Sequence, residues 1–166
     1  MAATRRSRLP ISLAGTILLA VAGIGVGGRT ASAQATPPKP KILAQHLVEA
    51  AKAAHPEADE IGISTTTKSG CVGIASTDAS DVGEKCEADD SRPMQTGKPS
   101  VGKEEGGYDV SVPLHDAAGK VVGVLGVGFK AAAGQTAASV TTQAEKIARE
   151  LAAKIHSKAD LFVPSN

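Results

Sequence analysis

Two adjacent stretches of the chain have the hydrophobic patterns of neighbouring β-strands. From residue 108 to 115 apolar and polar residues alternate, and from residue 121 to 130 a nearly continuous run of β-branched residues follows. A period of two is typical of a half-buried strand, and a continuous apolar run is typical of a strand buried on both faces. Residues 116–119 between them have the composition of a turn. We therefore predict a hairpin at the centre of the fold.

Glycines interrupt the second of these strands at Gly123, Gly126 and Gly128. A glycine inside a strand marks a bulge or a close approach by another group. Two interpretations follow. The strand is either a tightly packed core strand or the floor of a ligand pocket.

The helical pattern occurs near both ends of the rest of the chain. Residues 41–54 carry an apolar stripe and end at His55-Pro56, and residues 135–157 carry a second stripe through Val140, Ile147 and Leu151. His46 and His55 do not share a helical face, so we expect both on the solvated surface rather than at a metal site.

Shorter segments complete the prediction. Residues 60–67 and 71–76 form a second hairpin, residues 89–96 a short helix, and residues 100–104 a short edge strand. The resulting order is helix, hairpin, long loop, short strand, hairpin and helix. Five strands with a helix at each end predict an α+β domain with one sheet.

The first 33 residues have the three parts of an export signal. Arg5, Arg6 and Arg8 precede the apolar residues 11–26, and Ala31-Ser32-Ala33 is a small-x-small cleavage site. An uncleaved anchor is the alternative, but the apolar run is short and broken by glycines. We expect a signal peptide at 1–33, a proline-rich linker at 34–40, a domain at 41–160 and a tail at 161–166. The expected location is periplasmic or secreted.

The chain has two cysteines, Cys71 and Cys86. In an oxidising compartment two thiols most often pair, so a structural disulfide is expected. A metal site would need two more ligands at suitable spacing, and none is near. A redox role is not indicated, because there is no C-x-x-C motif.

Charge and composition exclude several function classes. Four of the 18 basic residues lie before Ala33, so the remaining 14 stand against 17 acidic residues, and aromatic residues make up only 2% of the chain. An acidic, aromatic-poor domain is a poor nucleic-acid binder. There is no G-x-S-x-G, H-E-x-x-H or P-loop motif, so we expect no enzyme activity, no cofactor and no metal.

Three segments resemble a known family. They are I-A-S-T-D-A-S-D-V-G-E-K, D-S-R-P-M-Q-T-G-K-P and the hairpin Y-D-V-S-V-P-L-H-D-A-A-G-K-V-V-G-V-L-G-V. Together, over about residues 61–129, they resemble the extracellular sensor domains called Cache, or PDC-like, which are relatives of PAS domains. The resemblance implies an antiparallel sheet of strand order 2-1-5-4-3 and a long N-terminal helix. It also implies a small ligand, often a carboxylate or an amino acid, between the sheet's concave face and the long loop.

The same resemblance suggests ligand-binding residues. Arg92 matches a loop arginine that often anchors an acidic ligand, Tyr108 and Ser111 lie on the strand that would line the pocket, and His115 lies near its end. A guanidinium can hold a carboxylate through two parallel hydrogen bonds. The alternative is that Arg92 pairs on the surface with Asp89 or Asp90.

Three functional hypotheses remain. The first is a free-standing exported sensor module for a small organic acid or amino acid. Gly128 stands where many Cache relatives carry an Asp, which weakens the amino-acid version. The second is a protein-interaction or homodimerisation module, suggested by the stripe of the C-terminal helix. The third, a small exported enzyme, would need a nucleophile–base pair in a pocket.

Overall fold

The structure is a computed structural model that describes residues 41–104 and 106–165. The predicted signal peptide and linker, residues 1–40, lie outside the described residues. Three α-helices occur in the described part: α1 (Leu43–Ala54), α2 (Ala88–Thr96) and α3 (Ala137–Ala152). The five strands are β1 (Glu60–Thr67), β2 (Gly70–Ser76), β3 (Ser100–Glu104), β4 (Gly107–His115) and β5 (Val121–Lys130).

The strands form one antiparallel sheet with the order β2-β1-β5-β4-β3. The predicted α+β class is confirmed, and so is the strand order that the Cache resemblance implies. Helices α1 and α3 pack on one face, and α2 packs against β3, β4 and β5. Helix α2 makes fewer contacts with β1 and β2. It therefore covers only part of the sheet's other face.

The alternating pattern of the central hairpin places its apolar side chains under α1 and α3. Val110, Val112 and Leu114 of β4 belong to that core, as do Leu125 and Phe129 of β5. All five are 3% exposed or less. Burial of this kind stabilises the fold by about 1.5–3 kcal/mol for each large apolar side chain.

The interpretation of a tightly packed core strand fits Gly123, and none of the three β5 glycines lines the pocket described below. A Cβ at Gly123 would lie 2.6 Å from the carbonyl oxygen of Ser64, so close strand packing requires glycine there. At Gly126 no atom of the described chain, apart from its neighbours in sequence, would lie within 4 Å of a Cβ. Close packing therefore explains Gly123, and no contact of this kind explains Gly126.

Helix α3 is shorter than the predicted 135–157. It begins after Thr136, whose side chain accepts from the N–H of Ser139 in a capping box, and it ends at Ala152. Beyond it the carbonyl of Ile155 accepts from the N–H of Ala117 in the β4–β5 turn, which draws the chain out of the helix. The stripe that suggested a dimer interface is buried in the chain's own core: Val140, Ala144, Ile147 and Leu151.

The expected C-terminal tail packs on the domain. Leu161 is fully buried, and residues 158–162 form a 3-10 helix. Pro164 then makes an antiparallel bridge with Ile42, and the N–H of Leu43 donates to the carbonyl of Val163 over 2.8 Å. Residues 163–165 therefore lie beside the start of α1.

The prediction of a solvated surface is wrong for His55. Its side chain is 8% exposed and lies between Glu57 and Glu150. His46 is half-buried, and its Nε2 is 2.9 Å from the carbonyl oxygen of Ser165. Both histidines connect segments that are distant in sequence, which a helical-face argument within α1 does not detect.

The predicted disulfide joins Cys71 to Cys86. It fixes the segment after β2 against the outer edge of that strand. Gly73 donates to the carbonyl of Glu84 over 2.9 Å, and Cys86 donates to the carbonyl of Cys71 over 3.2 Å. The disulfide therefore protects one edge of the sheet from pairing with another chain.

We predict that Cys71→Ser lowers the free energy of unfolding under oxidising conditions by roughly 3 kcal/mol, the value that loop-closure entropy gives for a loop of this length. Urea unfolding with and without reductant measures it. Reductant should lower the stability of the wild type to that of the variant and leave the variant unchanged. Two reactive thiols in the oxidised wild type would contradict the prediction.

Candidate functional site

The turn between β4 and β5 is held by a buried carboxylate. Asp116 is 7% exposed, and its Oδ1 accepts from the backbone N–H groups of Ala118 (3.0 Å) and Lys120 (2.9 Å). Gly119 has a φ of 81°, which favours glycine. This turn fixes the end of β4, and with it His115, beside α3.

Strand β3 leaves the last part of β4 without a partner on its outer side. The pairing of β3 with β4 ends where Ser100 lies opposite Ser111, so residues 112–115 of β4 extend beyond β3. Pro113 lies in that extension. A proline has no N–H to donate, so it suits a strand segment with a free edge. The chain before β3 turns away at Gly97, which has a φ of 67°.

These two features leave a groove of about 710 Å³. We call it the β4–α3 groove. Its volume falls in the range typical of small-molecule sites, about 300–1,000 Å³. It is lined by Gly97, Pro99, Val112, Pro113, His115, Asp116, Ala117, Gly119, Glu145, Ala148, Arg149, Ala152 and Ala153.

The groove combines small apolar groups with a few charges. Alanines of α3 and the residues Val112 and Pro113 supply the apolar surface. The charges come from Arg149, Glu145 and Asp116. Arg149 Nη1 and Glu145 Oε2 are 4.0 Å apart, and the arginine side chain is 68% exposed. Its guanidinium therefore keeps donors available for a ligand.

The predicted anchor, Arg92, lies elsewhere. It is on α2, its Nη2 is 2.8 Å from Asp89 Oδ1, and the two side chains are 60% and 71% exposed. This is the surface pair that the sequence left open as the alternative. Arg92 does not line the groove.

Tyr108 and Ser111 are not brought together. Tyr108 packs against the core beneath α1 and α3, with Lys103 Nζ 5.9 Å from its ring centroid. The hydroxyl of Ser111 donates to Asp90 Oδ1 of α2 over 3.3 Å, on the other face. Residues three apart on a strand point to opposite faces, so one pocket cannot use both side chains. Of the four predicted residues, His115 alone lines the groove.

The sheet face beside α2, where the resemblance implied a pocket, is acidic. The hydrogen bond that protonated Glu60 on β1 donates to Asp81, together with burial and the charges of Asp81, Asp78 and Asp109, raises the pKa of Glu60 to about 7. Asp90 borders the same face through Ser111. A carboxylate ligand would be repelled by these groups.

Sequence reasoning missed Arg149 and Glu145. Both lie outside the apolar stripe of the C-terminal helix, so the helical pattern gave no reason to select them. Their place in a groove depends on where β3 ends, which is a long-range property of the sheet. No local motif marks it.

Neither a metal site nor a membrane span occurs in the described residues. Within residues 41–104 and 106–165, no three His, Cys, Asp or Glu side chains are grouped to hold a metal ion. None of the helices in those ranges is long and apolar enough to cross a bilayer.

Comparison with known proteins gives distant structural likenesses. No protein-family model and no curated protein matches the sequence. A GAF sensor protein of Burkholderia vietnamiensis aligns with a TM-score of 0.49 at 14% identity, covering 70% of this chain and 76% of that one. The second GAF domain of DevS from Mycobacterium smegmatis gives 0.47 at 17% identity, covering 64% and 88%.

The E. coli DcuS sensor domain aligns with a TM-score of 0.39 at 19% identity, covering 61% of this chain and 71% of that one. These likenesses are too distant to carry a function to this chain. The assignment of the fold rests on its own sheet order.

We predict that Glu60→Gln makes the free energy of unfolding less dependent on pH. A carboxyl whose pKa is raised on folding stabilises the folded state below its unfolded pKa, 4.5, and loses that contribution as the pH rises to about 7. The variant should match the wild type near pH 4.5. At about pH 8 it should be more stable by about 1 kcal/mol, a value reduced for solvent screening of an exposed side chain.

Urea unfolding across this pH range measures the effect. Glu84→Gln, which changes an exposed carboxylate on the neighbouring loop, is the control and should leave the wild-type pH profile unchanged. A constant difference between Glu60→Gln and the wild type at all pH values would show that Glu60 does not titrate in this window.

Proposed function

We propose that this chain is an exported, small-molecule-binding sensor module whose ligand lies in the β4–α3 groove. The observation that carries the proposal is the position of Arg149. It lines a groove of about 710 Å³, and its guanidinium is 4.0 Å from the carboxylate of Glu145. Export is supported by the residues of the N-terminal signal and by the disulfide, since disulfides persist in oxidising compartments.

The chemistry of the groove favours a small organic acid with an apolar body. A guanidinium can hold a carboxylate in a bidentate pair, and the alanines of α3 with Val112 and Pro113 can cover apolar surface. His115 stands at the same end of β4 and can donate to a second oxygen. The anchor in this proposal is Arg149 rather than Arg92.

The proposal is one of binding without catalysis. Among the described residues that line the groove there is no Ser, Thr, Cys or Lys to serve as a nucleophile. His115 and Asp116 are neighbours in the chain. Asp116 Oδ1 accepts hydrogen bonds from the backbone N–H groups of Ala118 and Lys120. The carboxylate therefore holds the turn and does not orient the imidazole through that oxygen.

We predict that an organic acid which raises the melting temperature of the wild type does so through Arg149. Arg149→Ala should weaken its binding by roughly 10- to 100-fold, the equivalent of a lost charge-assisted pair of about 1.5–3 kcal/mol. Thermal shift against a panel of aliphatic and aromatic acids finds the ligand, and calorimetric titration gives the dissociation constants.

Arg92→Ala is the matched control, since it removes the other arginine of the described chain from a surface pair. It should bind the acid as the wild type does. Loss of binding in Arg92→Ala with retention in Arg149→Ala would move the site to the α2 face. No stabilisation by any acid at millimolar concentration would refute the proposed function.

A further inference from the structure

His55 ends α1 and connects three parts of the chain. Its ring is nearly buried, with the side chain 8% exposed. Nε2 is 2.7 Å from Glu150 Oε2 on α3, and Nδ1 is 3.2 Å from Glu57 Oε1 in the loop before β1. Both ring nitrogens therefore face a carboxylate oxygen.

This arrangement is satisfied by one protonation state of the imidazole. Ionised carboxylates only accept hydrogen bonds, and a neutral imidazole has a single N–H to donate. The pKa of Glu150 is lowered chiefly by its bond to His55, and that of Glu57 chiefly by its own backbone N–H, so both remain ionised at neutral pH. Only the imidazolium can donate to both.

The charges around the ring come from both helices. On α1, Lys52 Nζ donates to the carbonyl of Ala58 and does not pair with either carboxylate in that contact. On α3, Lys146 Nζ is 3.9 Å from Glu150 Oε1, and the charges of Lys146 and Lys154 also act on Glu150. These lysines balance the carboxylates but cannot supply the missing ring N–H.

We propose that His55 is a pH-sensitive clasp between α1 and α3. With protons on both ring nitrogens it ties the end of α1 to Glu150 and Glu57. Loss of one proton places a nitrogen lone pair against a carboxylate oxygen at a nearly buried position, which breaks one contact and loosens α1.

The test is nuclear magnetic resonance on the full chain between about pH 5.5 and about pH 8.5, where imidazoles titrate. Correlations from the ring nitrogens report the protons on His55, and amide exchange reports the protection of residues 47–51 in α1 relative to β5. Using β5 as an internal reference cancels the intrinsic pH dependence of exchange. We expect both ring nitrogens protonated at the low end, one at the high end, and a several-fold loss of relative protection of α1 between them.

Glu150→Gln should abolish this pH response, because the glutamine amide can both donate and accept and so suits the neutral ring. Glu49→Gln, on α1 but in a surface pair with Lys41, should keep the wild-type response. If Glu150→Gln does not fold, Glu57→Gln serves in its place. It keeps the 2.7 Å contact with Glu150, and its amide can donate to an unprotonated Nδ1, so the response should again be lost.

Three results would overturn the proposal. His55 could keep one protonation state over the whole range, the wild-type protection of α1 could stay constant while the ring titrates, or the Glu-to-Gln variants could retain the full wild-type response.

Discussion

The pairing of β5 with both β1 and β4 is the constraint on which the rest of the structure depends. As the central strand it must pair its backbone on two sides, while alternate side chains enter the core beneath α1 and α3. Gly123 is required because the carbonyl of Ser64 approaches to 2.6 Å of where a Cβ would lie. Helix α1 packs on β1 and β2, and α3 packs mainly on β4, so the pairing of β5 with β1 and β4 positions the strands that carry these helices.

The groove results from the same hairpin. Its turn is fixed by Asp116, and it extends past the point where β3 stops pairing. Helix α3 crosses β4 and supplies the opposite wall. Small residues at Ala148 and Ala152 keep that wall shallow, so the space between helix and strand edge stays open.

The sequence predicted the elements well because each has a strong local pattern. β1 and β3 occupy the predicted residues, α2 begins one residue earlier than expected, and the disulfide pairs as expected. Errors arose where the cause is tertiary. His55 lies in a nearly buried site because Glu150, 95 residues away, reaches it. Helix α3 ends early because the hairpin turn bonds to Ile155.

The candidate site was predicted less well, for a related reason. Of the four predicted residues only His115 lines the groove, and its position at the end of β4 is a local property. The period of two already separates Tyr108 from Ser111, so that pair could have been rejected from the sequence. Arg149 could not have been selected, because its role depends on the length of β3 and on the crossing of α3 over β4.

Electrostatics then distinguishes the two faces of the domain. On the α2 face the carboxylates are close enough to raise the pKa of Glu60 to about 7, and Arg92 is held by Asp89 at 2.8 Å. An acid entering there would add charge to a surface that already favours a proton on one of its carboxyls. In the β4–α3 groove the guanidinium of Arg149 has one carboxylate neighbour at 4.0 Å, near the outer limit of an ion pair. The anionic ligand proposed above would therefore meet less repulsion at Arg149 than at the carboxylates of the α2 face.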